Sequence, residues 1–241
     1  MFDKVEKYQL VLMSVILALG IVWAAKSATA NLRTEGISVT GSAYEIVQSD
    51  SARFEFNLTA RQPNRVAAYN LVQKQLPEVL DYLKNKGFTD NDIELKTTNG
   101  YNTYKYNANG MTTNEIASHT INQPIVVTSN DVNKIKDISI DIQNFISKGI
   151  EINAMEPQFF YSKLSDVKVK LLQDATTDAQ QRADAMLQAT HNKTGNIQSV
   201  RMGVFQITPV DSTNVSDMGI SDTSTIEKKV TAVANVTFKI K

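Results

Sequence analysis

Apolar positions in this chain fall into two regimes. From Tyr8 to Ala25 they run almost unbroken, YQLVLMSVILALGIVWAA, with Lys7 and Lys26 at the two ends. After Glu35 they recur at intervals of two, or of three and four, as strands and helices of a water-soluble body require. As a helix the first stretch would span ~27 Å, close to the hydrocarbon thickness of a bilayer. It has no polar face, which argues against a helix buried in a soluble core. The pattern therefore predicts a transmembrane anchor over 8–25, behind a short tail (1–7) and ahead of a polar linker (26–35). The alternative is a cleaved export signal with Ala28-Thr29-Ala30 as its processing site. The length of the run, the position of Lys26 ahead of that site, and Trp23 near the far end favour the anchor.

Beyond the linker the pattern predicts an α+β domain over 36–241. Ile37–Val47 and Ala52–Ala60 read as strands; in FEFNLTA, Phe54, Phe56 and Leu58 alternate with polar residues. A helix follows over Pro63–Lys86, with Val66, Tyr69, Leu76, Val79, Leu80 and Leu83 as its apolar stripe. Pro63 suits its first position, Pro77 predicts a kink or restart, and Gly87 a C-cap. Ile93–Tyr106 and Glu115–Ser129 form the next strand pair, joined through Asn109-Gly110. Tyr101, Tyr104 and Tyr106 make the distal part of this hairpin aromatic. Cross-strand packing explains such tyrosines, and a contact with another subunit is the sharper alternative.

A second helix, capped by Ser129 or Asn130, is expected to run to Lys148 with Ile135, Ile138, Ile142, Phe145 and Ile146 inward. It ends Lys148-Gly149-Ile150, echoing Lys86-Gly87-Phe88. Both endings lead into an acidic residue and an isoleucine, an internal echo that predicts two related α/β layers. Gln158–Tyr161 reads as a short strand. The longest helix is expected over Asp166–Asn192, capped by Ser165 and closed by Gly195. Val167, Leu171, Ala175, Ala179, Ala183 and Met186 form its inner face, and Asp178 and Arg182 are spaced for an ion pair. Ile197–Pro209 and Ile226–Lys241 supply the last strands, with Asp211–Thr225 as a loop between them.

Composition narrows the function. Lys plus Arg and Asp plus Glu both total 25, and no basic block stands out, so nucleic acid is not an expected partner. Without cysteine, thiolate catalysis and thiolate metal sites are excluded. Only His119 and His191 could serve as imidazole bases. Neither belongs to a local metal-ligand pattern, and both are expected to be structural. Asp174, Asp178 and Asp184 lie among Lys170 and Arg182, as on a solvated helix, and the aspartates of Asp211–Asp222 lack calcium-loop spacing. No phosphate-binding glycine pattern or serine elbow is present. No catalytic residue, cofactor or metal is expected.

Several stretches resemble the SIMPL family of bacterial envelope proteins. They are Ile37-Ser38-Val39-Thr40-Gly41, Thr59-Ala60, Asp92-Ile93-Glu94-Leu95-Lys96-Thr97, and Asp174-Ala175 with Asp178-Ala179 and Arg182-Ala183. Gly195-Asn196-Ile197 then leads into a strand. The resemblance covers about residues 36 to 241. It implies an α+β fold with antiparallel sheets, assembly into homo-oligomers, envelope protein partners, and a role in envelope integrity or stress tolerance, without established catalytic residues. The expectation is a non-enzymatic, membrane-tethered protein whose domain lies outside the cytoplasm, or is exported after signal cleavage. A binding module for a small ligand or envelope polymer is the alternative.

Overall fold

In the computed structural model, residues 2–32 and 35–241 are described, except for the side chains of residues 2–7, 10 and 27–32. The elements in chain order are α1 (Phe2–Leu32), β1 (Gly36–Gln48), β2 (Ser51–Gln62), α2 (Arg65–Asn85), β3 (Ile93–Leu95), β4 (Asn99–Tyr106) and β5 (Thr112–Ser129). Then come α3 (Val132–Asp141), a 3-10 helix (Ile142–Lys148), β6 (Glu151–Ala154), β7 (Gln158–Phe160) and α4 (Leu164–Gln188). β8 (Thr194–Met202), β9 (Gln206–Pro209), β10 (Ile220–Ser221) and β11 (Glu227–Ile240) complete the order. Contacts group the chain into two compact units. One holds Met1–Ala43, Leu171–Gly203 and Ala232–Lys241; the other holds Tyr44–Lys170 and Val204–Thr231.

The helix α1 includes all of Tyr8–Ala25 and continues through Leu32, so it takes in most of the expected linker. The transmembrane expectation is not supported: among the described residues, no helix is long and apolar enough to cross a membrane. Part of that expectation falls on Leu10, and the Ala28-Thr29-Ala30 alternative falls on 28–30; these side chains lie outside the described residues. All described side chains from Val11 to Lys26 are exposed.

In the larger unit, β2 and β5 run antiparallel from the Ala52–Ser129 pair to the Gln62–His119 pair. The alternation of β2 places Phe54, Phe56 and Leu58 on one face, where they are wholly buried. Ala68, Val72, Val79 and Leu83 of α2 join the same core, together with Val132, Ile135 and Ile138 of α3. Strand order is β3-β5-β2-β6. The chain passes from β2 through α2 to β3, stepping over β5, and from β5 through α3 to β6, stepping over β2. The echo in the sequence is therefore two interlocked strand–helix–strand passes sharing one sheet, not two layers. Its endings do match: Gly87 and Gly149 both adopt positive φ (83° and 78°). Phe88 N donates to Leu83 O, and Ile150 N donates to Phe145 O. Both closures belong to a glycine-terminated helix whose next apolar residue folds back onto it.

Local chemistry moved several expected boundaries. Asn64, not Pro63, starts α2, because its side-chain oxygen accepts from Val66 N at 2.8 Å and Ala67 N at 3.4 Å. Pro77 neither ends nor restarts the helix. Pro77 and Gln73, whose carbonyl loses its amide partner, are both exposed, so water can satisfy that group. Asp131 caps α3 by accepting from Lys134 N, while Ser129 Oγ accepts from Asp131 N. The helix tightens into the 3-10 segment after Asp141, and three residues per turn carry Ile146 out to solvent while Phe145 stays buried.

In the other unit, α4 presents a ridge of Leu171, Ala175, Ala179, Ala183 and Leu187, all buried. The ridge continues in steps of four to Leu187, so Met186, expected inward, is exposed. Gly41 of β1 runs against this ridge. A Cβ there would sit 2.8 Å from Ala179 Cα, and closer still to the Ala175 carbonyl and Ala179 nitrogen. Beside it, Asp178 Oδ2 accepts from Ser42 N at 2.8 Å and pairs with Arg182 Nε at 2.8 Å. The Ser42 amide and the Arg182 guanidinium hold that carboxyl below its usual range. Gly195 does not close α4; the chain turns at His191, whose φ is 58°, and Gly195 lies within β8. The expected single strand Ile197–Pro209 is divided, with Gly203 between β8 and β9.

Candidate functional site

In the larger unit β4 and β5 build an arm. β2 stops pairing with β5 at His119, whereas β5 continues to Thr112 with β4 as its partner. Beyond His119 the arm is a two-stranded ribbon. Its tip is closed by Asn107, whose Oδ1 accepts from Asn109 N and Met111 N at 3.0 Å, and by Gly110 at positive φ. The Asn109-Gly110 turn was legible from sequence. Lys105 and Glu115 pair across the ribbon at 3.1 Å.

Register sorts the arm's side chains into faces. Ile121 is buried on the helix side of the sheet and lies opposite Gly100. Gly100 leaves room for it: a Cβ there would meet Ile121 Cδ1 at 2.7 Å. Alternation puts Asn102, opposite His119, on that face and Tyr101 on the reverse; beyond Thr103 the ribbon's register shifts twice, before Tyr104 and again before Tyr106. The three candidate tyrosines are 55%, 41% and 69% exposed in chain order. At the base of the same face, Arg65, Val66, Tyr69, Thr98, Asn99 and Ile121 line a groove of about 400 Å³. Val66 and Tyr69, expected to point into the core, are exposed here because the buried stripe of α2 starts at Ala68.

The titratable candidates are dispersed. His119 Nδ1 lies 2.8 Å from Asn102 Oδ1 within the arm. His191 falls in the other unit, past the end of α4 instead of in its last turn, among residues lining a shallow cleft with Asp184 and Lys193. Asp184 accepts from Thr194 Oγ1 and Asp178 from Ser42, so two of the three helix aspartates hold neighbouring strands. Among the described residues no three acidic or histidine side chains gather as a metal site.

Sequence reading missed the buried Lys228–Asp222 pair. Lys228 Nζ donates to Asp222 Oδ2 at 3.1 Å, Asp222 O at 2.9 Å and Thr225 O at 2.6 Å. Burial pushes the Asp222 carboxyl up, but hydrogen bonds from Thr225, Ser224 and Lys228 outweigh it and hold the group far below its usual range. The signal available was Asp222-Thr223-Ser224-Thr225, a run suited to side-chain turns. The pair anchors the end of the Asp211–Thr225 loop onto β11, beside a small cavity of about 120 Å³ whose lining is otherwise mostly apolar, with Phe159, Leu164, Ile207 and Val230.

Residues 37–238 match the model of the SIMPL family, described as a protein of unknown function (DUF541). No curated protein matches the chain.

Proposed function

The chain belongs to the SIMPL family, and on that footing we propose that it is a non-enzymatic envelope protein, tethered by α1, that works by self-assembly or by scaffolding partners. The observation that carries the reading is α1. Its run Tyr8–Ala25 is uncharged, Lys7 and Lys26 bracket it, and every described side chain from Val11 to Lys26 is exposed. Leaving this much apolar surface in water is unfavourable, at ~25 cal/mol per Å², so a lipid phase is its natural surrounding. On this reading the body lies outside the cytoplasm. Envelope integrity or stress tolerance is the physiological setting that the reading carries.

The non-enzymatic part is supported by the use each motif is put to. Gly41, Asp178 and Arg182, which carry the family resemblance, join a strand to a helix. Assembly is supported by the arm, because an isolated two-stranded ribbon is marginal in water.

Fractionation tests the tether. The protein is expected to stay in the membrane pellet at alkaline pH and to enter solution only with detergent. Release of the uncut chain by alkaline buffer overturns it. The mass of the detergent-extracted particle tests assembly: a monomer with no co-purifying protein rejects it.

A further inference from the structure

Charge is unevenly spread over the larger unit. Between Glu55 and Glu78, and between Glu94 and Asp131, the chain holds five basic residues (Arg61, Arg65, Lys74, Lys96 and Lys105) and one acidic residue, Glu115. The chain as a whole is balanced, so the corner these segments build carries a local positive excess. Lys105 takes Glu115, and Lys96 takes Glu55. Arg61, Arg65 and Lys74 have no carboxylate partner among the described residues. Of these three only Arg65 lines the groove at the base of the arm. Arg61 follows the buried Ala60 and so lies on the reverse face of the sheet, and Lys74 stands about two and a half turns from Arg65, on the other side of α2.

The rest of the groove is suited to a ring that carries hydroxyls. Tyr69, one turn after Arg65, is 46% exposed and presents a flat apolar surface beside the guanidinium. Thr98 Oγ1 donates to Gln123 Oε1 at 2.6 Å, which leaves its lone pairs to accept. Asn99 Oδ1 accepts from Asn122 Nδ2 at 3.3 Å, which leaves its own amide nitrogen to donate. Both side chains are thus oriented before any ligand arrives. The groove's volume of about 400 Å³ is in the lower part of the ~300–1,000 Å³ range of small-ligand sites.

The surroundings also select the anion. A guanidinium fork matches carboxylate and phosphate alike. Phosphate at a helix start is held by free backbone N–H groups, and here Asn64 already accepts from those of Val66 and Ala67. One guanidinium without supporting amides matches a single negative charge, which is that of a carboxylate.

We propose that this groove binds an acidic polysaccharide through a uronic acid unit, with the carboxylate held by Arg65, the ring laid on Tyr69 and the hydroxyls met by Thr98 and Asn99. The site is complete within one copy of the chain.

The test titrates trigalacturonate into full-length protein in mild detergent and reads the heat of binding. Saturable binding is expected, and the methyl-esterified trimer, with the same hydroxyls and no charge, should not bind. Arg65→Ala and Arg65→Lys are each expected to weaken binding about tenfold or more with an unchanged melting point, since lysine keeps the charge and loses the fork. Tyr69→Ala should also weaken it, and Lys74→Ala should leave it as it was. The proposal is overturned if trigalacturonate does not bind, if the ester binds as well as the acid, or if either Arg65 variant binds like the parent. Tighter binding of galactose 6-phosphate overturns it in favour of a phosphate site, and tighter binding of triglutamate in favour of an acidic peptide.

Discussion

At single residues, close approach decides more than exposed charge does. Gly41 sits where a methyl group would enter the backbone of α4. Gly41→Ala is expected to cost about 3 kcal/mol, read as a lower denaturation midpoint with an unchanged slope. Thr120 is the opposite case: it is wholly buried, and its hydroxyl has no partner among the described residues. Thr120→Val keeps the shape, removes an unmet polar atom and should gain about 1 kcal/mol in the same measurement. Asp222→Asn leaves the buried Lys228 ammonium without its anion and should cost ~3 kcal/mol at neutral pH. The depressed Asp222 carboxyl also fixes a sign with pH. Its folded form binds the proton less readily than the unfolded chain, so the stabilisation is complete at neutral pH and is lost as pH falls below ~4. Denaturation of the parent between pH 5 and 2 should show that loss, and Asp222→Asn should show a flatter curve.

At the level of elements, strands were easier to read than helix ends. The alternation in FEFNLTA and in VTAVANVTFKI maps onto β2 and β11 because a period of two leaves one choice of face. Helix faces were less determinate. Met186 and Leu187 both follow Ala183 at helical spacing, and only packing selects the four-step ridge that ends at Leu187. The turn after α4 uses His191 where glycine is commoner, and Gly195, the nearest glycine, lies already inside a strand. Ile146 was misplaced because propensity does not reveal where an α-helix tightens. Pro77 lies inside an unbroken α2. Replacing it with alanine restores a backbone donor to the turn and should raise stability by about 1–3 kcal/mol, readable by thermal melting. The arm is half visible in the sequence: its turn is plain, but the shifts of register around Tyr104 and Tyr106 come only from pairing with β5.

At the level of the whole molecule, the two units are interleaved along the chain. β1, α4 and β11 each supply residues to both, and the larger unit is interrupted by residues 171–203. A cut placed anywhere in sequence cannot yield either unit as one continuous piece. Removing residues 227–241 is therefore expected to abolish cooperative melting altogether, leaving no residual half-sized transition in calorimetry. During synthesis, neither unit has all its strands until β11 emerges from the ribosome. A polypeptide built this way stays an open thread, its two halves still waiting for a common clasp, until β11 has been made.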